Sequence, residues 1–132
     1  MSFVFGKKSL ERLAECEAPL QLLMLRVLEA SDQDLTILCG KRGEAEQNAA
    51  YAAGNSKLKY PKSKHNKSPS QAVDVAPYPV NWKNIDAFRK LGLLVILTWG
   101  GFTTAEKEGW ELSWGGSWEK FRDYPHFELR KA

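Results

Sequence analysis

Two histidines and two aspartates have the spacing of a metal site that is divided along the chain. His65 lies nine residues before Asp74, and Asp123 lies three residues before His126. Two imidazoles and one carboxylate form the ligand set of a catalytic zinc ion that keeps one coordination position open. A second carboxylate near the activated water, but off the metal, can act as a general base. These residue types therefore predict a zinc hydrolase.

Each of these residues also has an ordinary structural alternative. A histidine is more often a hydrogen-bonded polar residue than a metal ligand, and Asp123 can simply cap the Asp-X-Pro turn in which it lies. The context favours the metal site, because His65 and His126 both lie at the ends of predicted elements, where functional sites are commonly built.

The length and composition of the chain limit its architecture. The 132 residues include 43% hydrophobic residues and five tryptophans. A chain of this size can bury one core but is too short for two domains of ordinary size. We therefore expect a single domain over residues 1–132.

Charge and hydropathy exclude several classes of partner. The net charge of +3 favours an anionic partner without identifying one, and we expect no specific binding to nucleic acid. The apolar run at 91–102 is shorter than the roughly 18 residues of a membrane-spanning helix, so no membrane insertion is predicted. The N-terminal apolar run is too short for a secretory signal, and Cys16 and Cys39 are expected to remain free thiols.

Hydrophobic periodicity and capping residues predict an α+β fold. In the clearest helix, which begins at Pro19, apolar residues recur at helical spacing over 20–28. Helices are predicted at 10–16 with Ser9 as N-cap, from Pro19 onward, at 44–53, from an N-cap at Asn81 to Gly100 and Gly101, and, as a short turn, at 103–106. Strands are predicted at Leu35–Cys39, 72–76, Trp110–Trp114 and 127–130.

These elements place the candidate residues at strand ends and in one long loop. Arg42 follows the first strand. Ser63 and His65 lie in the loop 55–71, whose five lysines and two prolines exclude a stable helix. Alternation in the second strand directs the side chain of Asp74 to the face opposite that of its valine neighbours.

Two further features of the sequence allow more than one interpretation. The lysine-rich loop could bind an anionic surface, such as a cell wall or an outer membrane. The alternative is a solvated loop without a partner surface, which is the commoner case. The tryptophans either line a sugar-binding groove or belong to the core. We expect most of them in the core and Trp118 to be exposed. The five positions are Trp82, Trp99, Trp110, Trp114 and Trp118.

The chain resembles the phage endolysins of the L-alanyl-D-glutamate peptidase type, relatives of bacterial D-Ala-D-Ala carboxypeptidases and dipeptidases. The resemblance covers roughly residues 35 to 130 and depends on several blocks that occur in the same order. The blocks are Gly40-Lys41-Arg42, Gln47, Gly54-Asn55-Ser56-Lys57, Ser63-Lys64-His65, Ala72-Val73-Asp74, Trp114-Gly115-Gly116-Ser117-Trp118 and Asp123-Tyr124-Pro125-His126-Phe127-Glu128.

The resemblance implies a role for each candidate residue. His65, Asp74 and His126 would bind Zn²⁺, and Asp123 would be the general base. Arg42 would hold a substrate carboxylate or the developing oxyanion, which suits the guanidinium fork. Ser63 and Gln47 would also contact the substrate.

The implied fold has a small antiparallel sheet with helices packed on one side and zinc at the open face, as in the hedgehog and D-Ala-D-Ala peptidase group. The implied function is hydrolysis of the peptidoglycan stem peptide between L-Ala and D-Glu, leading to host lysis. We expect a monomer without a separate wall-binding domain, made in the host cytoplasm and released to the wall by a holin.

Two alternatives use the same ligands. A D-Ala-D-Ala carboxypeptidase would remove the terminal D-Ala instead. A zinc-stabilised binding module, like the hedgehog signalling domains, would bind without turnover, but the presence of Asp123 favours an enzyme.

The sequence departs from the family pattern at two places. The interval from His65 to Asp74 is nine residues, whereas the simplest members of the family have seven, so the segment 66–71 must bulge if both side chains are to converge. Pro69 favours such a bulge. Ser117 stands where the tryptophan-flanked block usually has an aspartate, which removes a carboxylate from that position.

Overall fold

A four-stranded antiparallel sheet with the strand order β1-β2-β4-β3 is the centre of the fold. The computed structural model describes residues 3–120 and 122–132. The strands are β1 (Leu35–Cys39), β2 (Ala72–Pro77), β3 (Trp110–Trp114) and β4 (His126–Lys131). The helices are α1 (Lys7–Leu13), α2 (Ala18–Ala30), α3 (Glu44–Ala52), α4 (Ile85–Gly100) and α5 (Thr104–Lys107), and there are 3₁₀ turns at Lys64–Asn66 and Gly115–Ser117. The α+β prediction is confirmed.

The core lies on one face of this sheet. Val73 and Val75 of β2 and Phe127 and Leu129 of β4 are fully buried there, because alternate residues of a strand point to the same side. Helices α1, α2 and α4 contribute side chains to the same apolar cluster. The opposite face of the sheet carries the residues between these apolar ones, including Asp74 and His126.

Helix α2 follows the predicted apolar periodicity. Pro19 lies in its first turn, where a missing N–H costs nothing. Leu20, Leu23, Met24 and Val27 are all fully buried. Met24 is therefore a core residue, as its spacing predicts.

Two predicted helix starts are wrong. Helix α1 begins at Lys7 with Gly6 as N-cap, so Ser9 lies within the helix. Its hydroxyl is buried and accepts a hydrogen bond from the backbone N–H of Ile37 at 3.0 Å. Helix α4 is capped by Asn84, whose side chain accepts from Ala87 N at 3.2 Å. Asn81 instead caps a turn that precedes the helix, by accepting from Lys83 N at 3.1 Å.

The expectation that Trp118 is the exposed tryptophan is also wrong. The indole of Trp118 lies 5.3 Å from the His126 ring, centroid to centroid, and its Nε1 donates to Ser113 Oγ at 3.2 Å. Trp82 is 59% exposed, because it lies outside the regular part of α4. Trp99 and Trp110 are buried, and Trp114 is partly buried.

Both cysteines are free thiols, as expected. Cys16 is buried, and its burial is the main reason why the pKa of its thiol is raised to about 12. The nearby side chains of Cys39, Glu15 and Asp74 raise this pKa further. Within the described residues, no helix is long and apolar enough to cross a membrane.

Candidate active site

Asp74 and His126 are directly opposite each other on neighbouring strands. The register of β2 and β4 pairs their Cα atoms, and His126 Nδ1 lies 3.1 Å from Asp74 Oδ1. His65 reaches the same point from the 3₁₀ turn Lys64–Asn66, with its Nε2 3.2 Å from Asp74 Oδ1 and 3.2 Å from His126 Nδ1. Three donor atoms from distant parts of the chain therefore converge on the open face of the sheet.

The nine-residue interval between His65 and Asp74 is closed by backbone hydrogen bonds. Ser63 Oγ accepts from His65 N at 3.2 Å and thereby caps the 3₁₀ turn. Gln71 N donates to Lys64 O at 3.1 Å, which ties the two ends of the loop together. Ser70 N donates to Glu15 O at 2.8 Å. The extra residues are thus accommodated as a bulge.

The outer nitrogen of each histidine donates to an oxygen behind it. His65 Nδ1 lies 2.6 Å from the carbonyl oxygen of Gly40, and a carbonyl can only accept. His126 Nε2 lies 2.8 Å from Glu128 Oε1. Burial opposes the charge of Glu128, but hydrogen bonds from His126 and Arg130 lower its pKa, so this carboxylate also accepts.

These two hydrogen bonds determine the tautomer of each imidazole. With the outer nitrogens protonated, neutral His65 and His126 direct the unprotonated nitrogen toward Asp74. Hydrogen bonds of this kind are typical behind metal-ligating histidines. The donor chemistry, two imidazole nitrogens and a carboxylate oxygen at one point, therefore fits a divalent metal ion.

The electrostatics of the cluster favour a bound cation. Burial disfavours the charged form of His65, but the negative charge of Asp74 outweighs it and raises the pKa of the imidazole well above 6.5. Burial also opposes protonation of His126, yet hydrogen bonds to Asp74 and Glu128 raise its pKa. Burial alone would raise the pKa of Asp74, whereas the two imidazoles hold it far below its usual range. The cluster therefore attracts positive charge, either protons or a metal ion.

Asp123 lies beside this cluster in the loop before β4. Its Oδ2 is 3.9 Å from His126 Nδ1. Its backbone is fixed, because Asp123 N donates to Gly115 O and His126 N donates to Asp123 O, each at 3.1 Å. A Cβ at Gly115 would overlap the Asp123 carbonyl oxygen, so this close approach requires glycine. Burial and the charge of Asp74 raise the pKa of Asp123 to about 6.

Trp114 holds the same loop from the other side. Its Nε1 donates to Tyr124 O at 2.8 Å. A Cβ at Gly92 of α4 or at Gly116 would overlap the indole of Trp114. Both positions must therefore be glycine for the ring to pack between them. Ser117 is exposed, and its hydroxyl donates to Trp114 O at 2.8 Å. Its role in this structure is to support the turn.

Arg42 lies at the edge of the cluster and Gln47 lies behind Arg42. Arg42 Nη2 is 3.7 Å from Asp74 Oδ2, and Arg42 Nη1 donates to Gln47 Oε1 at 3.0 Å. Gln47 Nε2 donates to Ser56 Oγ at 2.9 Å and to Leu58 O at 2.6 Å. The side chain of Gln47 is fully buried, whereas Arg42 and Ser63 line the cleft. Gln47 is thus placed to orient Arg42.

Cys39 is a site residue that the sequence interpretation missed. A β-bulge between Ile37 and Cys39 shifts the register so that Cys39 pairs with Asp74. Its Sγ and donor atoms of His65 and Asp74 lie within 4.8 Å of one another, which makes the three a possible metal-holding group. Regular alternation would pair Leu38 with Asp74 instead. Alternation of residue types carries no signal for a bulge, so this placement could not be read from the sequence.

The cluster opens into a cleft of about 770 Å³, within the size range of sites for small ligands. Part of its lining comes from the chain before β2, including Arg42, Lys57 and Lys64. The rest comes mainly from the turn before α4, the start of α4 and the loop before β4, including Trp82 and Asp123.

Comparisons with known proteins identify the family of the chain. Residues 1–131 match the family model described as phage L-alanyl-D-glutamate peptidase. The fold is similar to the crystal structure of the Serratia marcescens L-Ala D-Glu endopeptidase ChiX, with a TM-score of 0.75 and 27% sequence identity over 96% of this chain and 90% of that chain. A match over nearly the whole length assigns the peptidase activity to this domain. The chain therefore belongs to the phage L-alanyl-D-glutamate peptidase family and is a peptidoglycan endopeptidase.

Proposed function

We propose that this endopeptidase is a zinc enzyme that cleaves the stem peptide between L-Ala and D-Glu. His65, Asp74 and His126 would bind Zn²⁺, and Asp123 would be the general base. The observation that supports the zinc site is the convergence of the three donor atoms to within 3.2 Å of one another. The Serratia endopeptidase named above supports the choice of bond.

The chain's own residues divide the work of peptide hydrolysis. When bound, Zn²⁺ supplies a Lewis acid that polarises the peptide carbonyl and makes water a better nucleophile. Asp123, with a pKa of about 6, is ionised at neutral pH. It takes the proton of the attacking water as the new C–O bond forms and passes it to the amine nitrogen of D-Glu, which then leaves as the C–N bond breaks.

The surrounding residues position these groups. Gly40 and Glu128 hold the two imidazoles in the tautomers that direct lone pairs inward. Arg42 presents its guanidinium at the edge of the cluster, where it can hold a substrate carboxylate or the developing oxyanion. Ser63 is only 5% exposed, and its main role is to cap the turn that carries His65.

Digestion of purified peptidoglycan by the zinc-loaded protein tests the proposal. We expect one zinc ion per chain and new amino termini on D-Glu, identified by mass spectrometry. Release of free D-Ala would instead identify a carboxypeptidase. Binding of peptidoglycan without any new amino terminus would identify a binding module.

A matched pair of variants separates metal binding from proton transfer. His65→Ala is expected to lose both zinc and activity. Asp123→Asn is expected to keep the zinc and lose only activity. If His65→Ala still binds one zinc ion with wild-type affinity, the proposed ligand set is wrong.

We propose further that the protein acts as a monomer in host lysis, and that a holin gives it access to the wall from the host cytoplasm. The phage family assignment supports a role in lysis. Sedimentation of the zinc-loaded protein tests the monomer. Lysis of cells that express it with and without a holin tests the route.

A further inference from the structure

The two sides of the cleft differ in chemistry, and each side is held together by its own contacts. The first side, called here the basic wall, consists of residues 42–66 that line the cleft. Its members are joined through Gln47, which contacts Arg42, Ser56 and Leu58. The basic wall carries the cations Arg42, Lys57 and Lys64 at the cleft.

The second side, called here the aromatic wall, consists of Trp82, Ile85, Phe88, Tyr124 and Pro125, and among the described residues it carries one cation, Arg122. Trp82 stacks on Phe88 with ring centroids 5.5 Å apart and an interplanar angle of 10°. Tyr124 packs against the ring of Trp114 at 6.4 Å and against the guanidinium of Arg89 at 6.0 Å. These contacts fix the orientation of Trp82 and Tyr124 in the aromatic wall.

The catalytic cluster lies between the two walls. Asp74 and His126 lie on the central strands β2 and β4, the basic wall begins after the edge strand β1, and Tyr124 of the aromatic wall packs on Trp114 of the other edge strand, β3. His65 comes from the chain segment of the basic wall, whereas Asp123 and His126 come from the segment of the aromatic wall. A peptide whose scissile bond lies at the cluster must therefore extend over one wall in each direction.

The stem peptide has the same division of chemistry about the L-Ala–D-Glu bond. Its carboxylates belong to D-Glu and the residues that follow. On the other side, L-Ala carries no charged group and is joined through a lactyl ether to a sugar of the glycan strand. The basic wall carries three cations at the cleft and the aromatic wall one, so charge complementarity directs the carboxylate-bearing half over the basic wall and leaves the L-Ala half over the aromatic wall.

Trp82 has the properties of a platform for a sugar ring. Its indole is 59% exposed, although it lines the cleft, and stacking on the buried ring of Phe88 fixes its plane. The apolar face of a pyranose packs on such an indole through its C–H groups. The sugar lies roughly 7 Å, two residue lengths of extended chain, from the scissile bond, which is within the span of a cleft of this size.

We propose that Trp82 forms a subsite for the glycan sugar next to L-Ala, so that the enzyme prefers stem peptides still attached to the glycan strand. This inference rests on the proposed function, because it requires cleavage at L-Ala–D-Glu. It makes Trp82 a specificity-determining residue.

Two substrates with the same scissile bond test the inference. One is the free tetrapeptide L-Ala-γ-D-Glu-diaminopimelyl-D-Ala, and the other is the same peptide on its disaccharide. We expect Trp82→Ala to lower kcat/KM on the disaccharide substrate about tenfold, the order of a lost aromatic contact. On the free tetrapeptide, kcat/KM should be unchanged. Trp82→Tyr should restore most of the preference.

Leu97→Ala is the matched control. Leu97 is 65% exposed on α4 and does not line the cleft, so this variant should behave as wild type on both substrates. Binding gives a second readout, because the free disaccharide should quench tryptophan emission in the wild type and not in Trp82→Phe.

The possible failures are distinguishable. If Trp82→Ala lowers activity on both substrates equally, or on neither, the sugar subsite is wrong and the proposed function stands. If the zinc-loaded wild type cleaves neither substrate at L-Ala–D-Glu, the proposed function fails and the subsite fails with it.

Discussion

The two faces of the central strands differ in chemistry although they share one backbone. On one face, Val73 and Phe127 are fully buried against the helices. On the other, the adjacent residues Asp74 and His126 belong to the candidate metal site. Successive side chains of a strand point to opposite sides. Neighbouring residues of one strand can therefore belong to the hydrophobic core and to the candidate metal site. A substitution should therefore affect mainly stability or mainly activity according to the face on which it lies.

The largest expected effect is on the open face, at the proposed base. Asp123→Asn keeps the size of the side chain but removes the group that accepts the proton. We expect kcat to fall by about 10²–10⁴-fold, the usual contribution of a general base. Zinc content and melting temperature should stay close to those of the wild type. Loss of zinc from this variant would mean that Asp123 is a ligand and not the base.

The next effect should appear on the core face. Phe127→Ala removes a fully buried ring and should lower the free energy of unfolding by about 3–5 kcal/mol, measured by urea titration. Phe127→Leu, which keeps most of the volume, should cost less than about 1.5 kcal/mol. If Phe127→Ala instead impairs activity at unchanged stability, the proposed separation between the two faces is wrong.

A smaller effect is expected at Gln47, which lies outside both faces and supports Arg42. Gln47→Leu leaves buried hydrogen-bonding partners unsatisfied and should cost about 1–3 kcal/mol of stability. It should also raise KM more than it lowers kcat, because Arg42 loses its orientation. Gln47→Glu keeps an acceptor for Arg42 and should restore KM better than stability. An unchanged KM in Gln47→Leu would show that Gln47 does not position Arg42 for substrate binding.

The smallest effect should come from Cys39, which the β-bulge places beside the cluster. Cys39→Ser should change activity and zinc content by no more than about twofold, as for a substitution outside the core. Because the thiol lines the cleft, iodoacetamide should inactivate the wild type and spare Cys39→Ser. Cys16 is an internal control, since its burial and raised pKa, about 12, protect it. Equal inactivation of both proteins would show that Cys39 is not the reactive group.

Local patterns in the sequence predicted most elements of the fold. The apolar spacing over 20–28 describes one face of α2, and alternation in 72–76 directs Asp74 away from the core. The capping box at Thr103 and Glu106 is present, since Glu106 N donates to Thr103 Oγ1 at 3.1 Å. These predictions succeeded because the signal and the structure both span only a few residues.

The wrong predictions involve residues whose partners lie outside their own helix or turn. Ser9 has the chemistry of an N-cap, yet its hydroxyl is bonded to the backbone of Ile37, 28 residues away. Trp118 looks like a surface residue until the loop that carries it folds back on His126. The burial of the polar Gln47 likewise has no local signal, because its amide is satisfied by four partners, Arg42, Ser56, Leu58 and Asn66; its contact with substrate stays a prediction.

The sequence by itself determined the types of group available: two imidazoles, two carboxylates near them and an arginine, in the order of a known family. The tertiary structure alone decided where these groups meet. The strand register places Asp74 opposite His126, the closed bulge carries His65 to them, and a second bulge adds Cys39. The reason is physical: side-chain chemistry is a property of each residue, whereas convergence depends on pairing and loop closure between segments more than 50 residues apart.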